Sequence, residues 1–379
     1  MKQAVKVGSG ALLLVVALTA CSEVAPGGGT ASWTRGASGV RTATPGPAGP
    51  PYGVLVDLLS DQARYTLSVF AMDGRVVAAE TASRRTLFPG SAGMPLELPY
   101  VSTSSTSLYY LDGDSNLFTL PLEGMAAGPH MVRSLGVAQG TEVAFAVSPD
   151  DSRIAIGTLD FRRSPVHVQI ATDSLAGGSQ TVIFDSDTNY VWPVAWHGGL
   201  LVLAHAYGPY VEDVAKVAPG ADNPYFAVSY HVVDPSTARR VVLMGACTVS
   251  GPLSPVGSAC IQGGAIDWSG NTTDWGNQNW GAISSAAAIS QDGQLIAAAR
   301  PDDQTSLGIW RPDGELATYV QGPGARDWAG WLDATHVVIT SGTSLGFQPR
   351  TLELAAGPTE AKFIAAHGFY AARLPTDVT

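Results

Sequence analysis

The 379-residue sequence predicts an all-β protein, a closed ring of look-alike four-stranded antiparallel blades of the β-propeller type. Three observations carry that expectation. The stretch Phe145–Gly157, FAVSPDDSRIAIG, returns as Ala287–Ala299, AAISQDGQLIAAA, with Ser148 and Ser290 separated by 142 positions. A second pattern, LSVFAMDGRV at Leu67–Val76, matches LGIWRPDGEL at Leu307–Leu316, 240 positions on. Both separations are whole multiples of a unit of about 47–48 residues, and periods of this size with four strands per repeat mark propellers.

The first pattern is a strand, a Ser-Pro-Asp-Gly type of turn, and a second strand. Proline suits the second position of a turn, and Asp and Gly accept the backbone conformations that reverse a chain tightly. Weaker echoes stand at Ser254–Ile261, Ala195–Leu203 and Gly330–Ile339. The second pattern is an alternating strand that ends in an acidic turn and continues as another strand, with relatives at Leu117–Gly124, Val166–Asp173 and Val228–Asp234. With four strands named a to d per unit, blades are expected near 52–95, 97–137, 141–188, 191–246, 247–283, 285–322 and 326–372. Seven is the expected count and six the alternative, because the fifth unit is degenerate. Small residues at Ala144, Ala146, Ala195 and Ala286–Ala288 suit innermost strands, where bulky side chains would collide near the axis. Ring closure also removes exposed sheet edges.

These residues resemble the WD40-like (PD40) repeats of TolB-type propellers, whose hallmark is Ser-Pro-Asp-Gly followed by an apolar strand. The resemblance is good in units three and six and partial elsewhere. It departs at Asp151, in place of the usual Gly, and at Gln291, in place of Pro. Nothing ahead of residue 52 resembles the amino-terminal α/β domain of TolB, so a Tol-system role is not implied.

The amino terminus reads as an address. Lys2 and Lys6 precede an apolar run, Ala11–Leu18, too short to span a bilayer, so residues 1–20 read as a signal peptide. The end of that run, Leu18-Thr-Ala-Cys21, resembles the lipobox of bacterial lipoproteins, which implies a lipidated Cys21 and a membrane-anchored, extracytoplasmic protein. A plain signal peptide is the alternative. Residues 21–51 are rich in Gly, Ser, Thr, Ala and Pro and read as a flexible tether, leaving 52–379 as the propeller. Without residues 1–20, 19 basic side chains face 32 acidic ones, a net charge of −13 that excludes a nucleic-acid footprint and electrostatic attachment to anionic lipid. In an oxidising compartment Cys247 and Cys260, 13 positions apart, are expected to form a disulfide, with two buried thiols as the alternative.

Motifs for chemistry are weak. Gly342-Thr-Ser344-Leu-Gly346 has the spacing of a nucleophile elbow but strand patterns on both sides, where that elbow needs a following helix. Asp112–Asn116 with Glu123 imitates part of a calcium loop, yet the glycine such a loop needs is Leu117, and a polar hairpin turn explains it better. The histidines, His197 and His336 among them, lack metal-ligand spacing, and no cofactor is expected.

Added loop length points further. Residues 205–226, with Tyr207 and Tyr210, form a long connection between strands b and c of blade four. Arg162 and Arg163 stand in the b–c loop of blade three, and Trp268, Trp275 and Trp280 stand in an amide-rich stretch after strand c of blade five. All are expected on one face of adjacent blades, with Trp275 the most exposed. Long loops in compact domains are usually functional, and aromatic side chains anchor binding surfaces. The competing reading is that these tryptophans plug blade interfaces. The expectation is therefore a monomeric, non-catalytic binding propeller for an envelope protein or a carbohydrate. The alternative is a lyase or glycan-acting hydrolase with its site at the mouth of the central channel.

Overall fold

The computed structural model describes residues 51–58, 61, 63–86, 98–123, 125–205, 227–261, 263–275, 287–300, 306–321, 328–343, 346–354 and 361–376. They form seven four-stranded antiparallel sheets. Blade two holds β4 (Val101–Thr103), β5 (Ser107–Asp112), β6 (Asn116–Pro121) and β7 (His130–Ser134). Blade three holds β8 (Thr141–Val147), β9 (Arg153–Asp160), β10 (His167–Ser174) and β11 (Thr181–Ser186). Blade four is β12 (Val191–His197), β13 (Leu200–His205), β14 (Ser229–Asp234) and β15 (Arg239–Met244). Blade five, the smallest, is β16 (Val249–Ser254), β17 (Gly257–Cys260), β18 (Ala265–Asp267) and β19 (Thr272–Thr273). Blade six is β20 (Ala288–Ile289), β21 (Ile296–Ala299), β22 (Ser306–Trp310) and β23 (Leu316–Gln321). Blade seven is β24 (Trp328–Trp331), β25 (His336–Thr343), β26 (Gly346–Glu353) and β27 (Lys362–Phe363).

Blade one corrects one detail of the sequence reading. Its described amino-terminal strands are β1 (Tyr52–Asp57), β2 (Arg64–Ala71) and β3 (Val76–Ser83), and its innermost strand is β28 (Phe369–Leu374) from the far end of the chain. Tyr52 pairs with Leu374 and Val56 with Phe369. Unit 52–95 therefore does not supply all four of its own strands, and residues 369–372 belong to blade one instead of blade seven. Closing a ring through one shared sheet makes the last joint with backbone hydrogen bonds as well as side-chain packing.

The first strand of each blade lies nearest the axis: β28 packs on β4, β4 on β8, β8 on β12, β16 on β20, β20 on β24 and β24 on β28. Burial follows that order. Every residue of β8 is buried, whereas the outermost β7 is exposed or half-buried throughout. The apolar core fills the gaps between blades, as where Val168, Trp192, Val202, Tyr230 and Ile266 share one cluster. Ala144, Ala146 and Ala288 are buried in the innermost strands.

Small inner residues let neighbouring blades bond directly. The Trp196 indole N–H donates to the Ala146 carbonyl at 3.0 Å, and Trp331 donates to Ala288 at 2.9 Å, the same contact between blades three and four and between six and seven. At the closing joint Tyr370 donates to the Trp331 carbonyl at 3.1 Å. A side chain on Gly330 would put its Cβ 2.1 Å from that tyrosine ring, so glycine is required there.

The repeated turns share one bonding pattern. The Ser148 N–H donates to the Arg153 carbonyl at 2.9 Å, the Arg153 N–H donates back to Ser148 Oγ at 2.9 Å, and that hydroxyl donates to Asp150 at 2.6 Å. Ser290, Leu295 and Asp292 repeat it at 2.8, 3.0 and 2.7 Å. In the second motif Gly74 and Gly314 take φ of 83° and 80°, and the carboxylates of Asp73 and Asp313 accept the N–H two residues on. The departure at Asp151 is also accounted for. It keeps the left-handed φ, 58°, that the usual glycine would adopt, and its carboxylate accepts from Tyr109 at 2.8 Å and from Thr106 on blade two. Asp112–Asn116 is the β5–β6 hairpin, whose Asp112 accepts the Ser83 N–H at 2.6 Å and so ties blade two to blade one.

Two further ties bind blades together. Arg85, between blades one and two, is buried with its Nε 3.5 Å from Glu142 of β8, donates to the Val143 and Pro99 carbonyls, and stacks 4.1 Å from the Tyr100 ring centre. Cys247 and Cys260 form the expected disulfide, with Cα atoms 5.7 Å apart, and staple the smallest blade to the strand connection before it. Glu142→Ala leaves a buried guanidinium without its carboxylate and is expected to lower unfolding free energy by about 3–5 kcal/mol in urea titration. Replacing both Cys247 and Cys260 with serine is expected to cost about 3 kcal/mol in the same assay, because the closed loop no longer restricts the unfolded chain.

Candidate functional site

The connections b–c and d–a emerge at one end of an antiparallel blade, and a–b and c–d at the other. Arg162 and Arg163 stand at the first end, in the β9–β10 loop, as expected. Arg162 borders a cleft of about 260 Å³ on the flank of blade three, and Arg163 follows it in the loop. Its floor is one face of two strands, where register sets His167 beside Asp160, Gln169 beside Thr158 and Ala171 beside Ile156. Residues 135–138, which join β7 to β8, form its wall, and Arg162 and Gln180 stand at its rim.

The polar groups of the cleft pair with one another or with residues just outside it, Arg163, Asp185 and Asp187. Arg162 grips Asp160 with Nε and a terminal nitrogen, both at 2.7 Å. That fork, before all other effects, holds the Asp160 carboxyl down at about 2. Arg163 reaches Asp187 at 3.2 Å, and His167 Nδ1 lies 2.8 Å from the same carboxylate. Gln169 donates to Asp185 at 3.0 Å. Both arginines are thus paired, about half exposed, and not free cations.

The tryptophans depart from expectation. Trp268 lies in the β18–β19 hairpin, at the opposite end from Arg162, because Asp267 accepts the N–H groups of Ser269 and Asn271 and folds that stretch into a tight c–d turn. Its indole donates to the Ser254 carbonyl at 3.1 Å and stacks on His197, ring centres 4.3 Å apart. Trp275, expected to be the most exposed, is 2% exposed and packs with Ala259, Ile289 and Trp310 between blades five and six. Both fill blade interfaces, where the area they bury exceeds anything a loop position provides. Tyr207, Tyr210, Trp280 and Ser344 lie outside the described residues. β25 before Ser344 and β26 after it are antiparallel partners, where a nucleophile elbow needs a helix to follow.

His167, Gln169, Asp185 and Asp187 were not singled out in the sequence. Their signal is present: His167-Val-Gln169-Ile alternates polar and apolar, which marks a half-buried strand. What alternation does not show is that the polar face borders a cleft.

At the end carrying the a–b turns, the central channel opens in a cavity of about 60 Å³. Of its lining residues only Arg373 is charged, and Arg373 donates to the Leu332 and Pro375 carbonyls. Among the described residues, no three His, Cys, Asp or Glu side chains are grouped to hold a metal ion.

No known family profile matches the chain, and no curated protein matches it in sequence. Similar solved structures include an oligogalacturonate lyase in complex with manganese, 11% identical over 80% of this chain and 90% of that one, TM-score 0.47. TolB from Acinetobacter baumannii is 10% identical over 85% of this chain and 65% of that one, TM-score 0.41. Sqt1 from Saccharomyces cerevisiae is 10% identical over 84% and 87%, TM-score 0.42. At these identities the likeness is one of architecture.

Two buried histidines give the fold an acid limit. Burial lowers His197 to about 4, and burial followed by the nearby His205 and Arg240 lowers His231 to about 3. Both fall below the ordinary value of about 6.5, so the unfolded chain binds protons that the folded chain refuses. Their stabilisation is complete above pH ~6.5 and drains away as pH falls through that value toward 4 and 3. Melting temperature is expected to fall over that window. His197→Phe, which keeps a ring against Trp268 but cannot take a proton, is expected to flatten the fall.

Proposed function

We propose that this protein is a lipid-anchored, extracytoplasmic propeller that binds an envelope protein or glycan without transforming it. The observation that carries this reading is the blade-three cleft, whose polar groups are already paired and oriented and so suit recognition by hydrogen bonds. Fixed side chains lose little freedom when a ligand arrives. The lipobox-like Leu18–Cys21, the tether behind it and the Cys247–Cys260 disulfide support the extracytoplasmic part, since disulfides persist in oxidising compartments. A diacylated terminus would hold the chain to the membrane where a single acyl chain binds only marginally.

Two measurements test this reading. The full chain should partition into detergent on phase separation and carry acyl mass on Cys21, and Cys21→Ser should move it to the aqueous phase. Full chain immobilised through a carboxyl-terminal tag should retain a component of envelope extract, and the Arg163→Glu, His167→Ala double variant should lose it. Unmodified Cys21 would end the anchoring claim, and retention of nothing by wild type would end the binding claim.

A further inference from the structure

We infer that the blade-three cleft is a subsite for one neutral sugar residue, an inference that rests on the binding role proposed above and names its ligand class. The size of the cleft sets the first limit. At about 260 Å³ it lies below the ~300–1,000 Å³ of pockets for drug-sized ligands, so it takes a single ring and not an oligomer.

The floor is amphipathic along its length. Ile156 and Ala171, both buried, lie side by side at one end, and the Thr158–Gln169 and Asp160–His167 pairs follow. A pyranose has the same division, with C–H groups on one face and hydroxyls around its edge. Its C–H face would lie on Ile156 and Ala171, and its hydroxyls would meet the polar pairs.

The hydrogen-bonding pattern suits hydroxyls, which both donate and accept. Gln169 donates one amide N–H to Asp185 at 3.0 Å, which fixes the amide and leaves its carbonyl as an acceptor and its second N–H as a donor. Thr158 donates to the Gln169 backbone carbonyl at 3.4 Å and keeps lone pairs for a ligand donor. Arg162 uses Nε and one terminal nitrogen on Asp160, and the other terminal nitrogen remains a donor at the rim.

Charge excludes the competing small ligands. An anion would meet an arginine already neutralised by Asp160, with Asp185 and Asp187 close behind. A cation would compete with Arg162, Arg163 and His167 for carboxylates they already hold. An extended peptide lacks its usual foothold, because β9 and β10 are interior strands paired on both edges and offer no backbone groups for strand addition.

The test is saturation-transfer NMR and calorimetry on the full chain, in a detergent without a sugar headgroup, with glucose, galactose, mannose and N-acetylglucosamine. Saturable binding of at least one, with Kd of about 1 mM, is expected. Gln169→Ala and Arg162→Ala should each weaken it about tenfold, the loss of one good hydrogen bond, while both variants keep a cooperative thermal transition. Arg311→Ala, on blade six, should leave it as in wild type. Affinity should hold between about 50 and 500 mM salt, since no charge is neutralised on binding. Failure of every sugar to bind, binding indifferent to both cleft variants, or steep weakening by salt would each overturn the inference. If an envelope protein is retained by wild type, lost in the Gln169→Ala variant and not displaced by any sugar, the sugar inference falls while the binding role stands.

Discussion

The structure depends on how closely its innermost strands can approach. Near the axis of a ring the space per blade is least, and here the innermost strands β8, β20 and β28 place alanine at several of their buried positions. That choice costs apolar area but exposes main-chain carbonyls to the neighbouring blade. The indoles of Trp196 and Trp331 use them, each reaching the carbonyl of an alanine, Ala146 or Ala288, in the preceding blade. Larger residues at those alanines would push the blades apart and strand a buried indole N–H without a partner, a double penalty in an interior where unpaired polar groups are costly. Packing and hydrogen bonding are satisfied by the same small side chain.

The same economy explains why the chain repeats itself. A tight reversal between the first two strands must satisfy several backbone groups at once. One serine does so by accepting from the strand beyond the turn while donating to an aspartate. Blades three and six share this wiring at Ser148 and Ser290, although three of the four residues that follow each serine differ and only the aspartate is kept. Where a turn departs from the pattern, the departing residue gains a second role. Asp151 keeps the backbone geometry of glycine and adds a bridge to the adjoining blade through Tyr109.

Much of this fold was legible because its signals are local. Alternation at Leu67–Val76 and Leu307–Leu316, and the turn residues between them, are determined within ten residues, and β2, β3, β22 and β23 lie where that alternation puts them. The closing strand was less legible. Residues 369–374 look like any inner strand, and nothing local says that their partner is Tyr52–Val56 at the other end of the chain. The site was hardest to read. Loop length and aromatic content point to Trp268 and Trp275, yet both aromatics are drawn into blade interfaces, where they bury most area. The polar cleft is built instead from ordinary strand residues such as Thr158 and Gln169, whose meaning depends on register with the next strand and on residues 135–138 lying across them.

The shared blade has one more consequence. Because β1 is the second strand of its sheet, Tyr52 enters at the a–b end, beside Leu374, and the chain runs from there toward the b–c end. Tyr52 and the cavity lined by Arg373 therefore share one rim of the ring. The opposite rim carries Arg162 and the cleft below it, so a load drawn through the amino-terminal strand would enter the ring at the end away from the cleft.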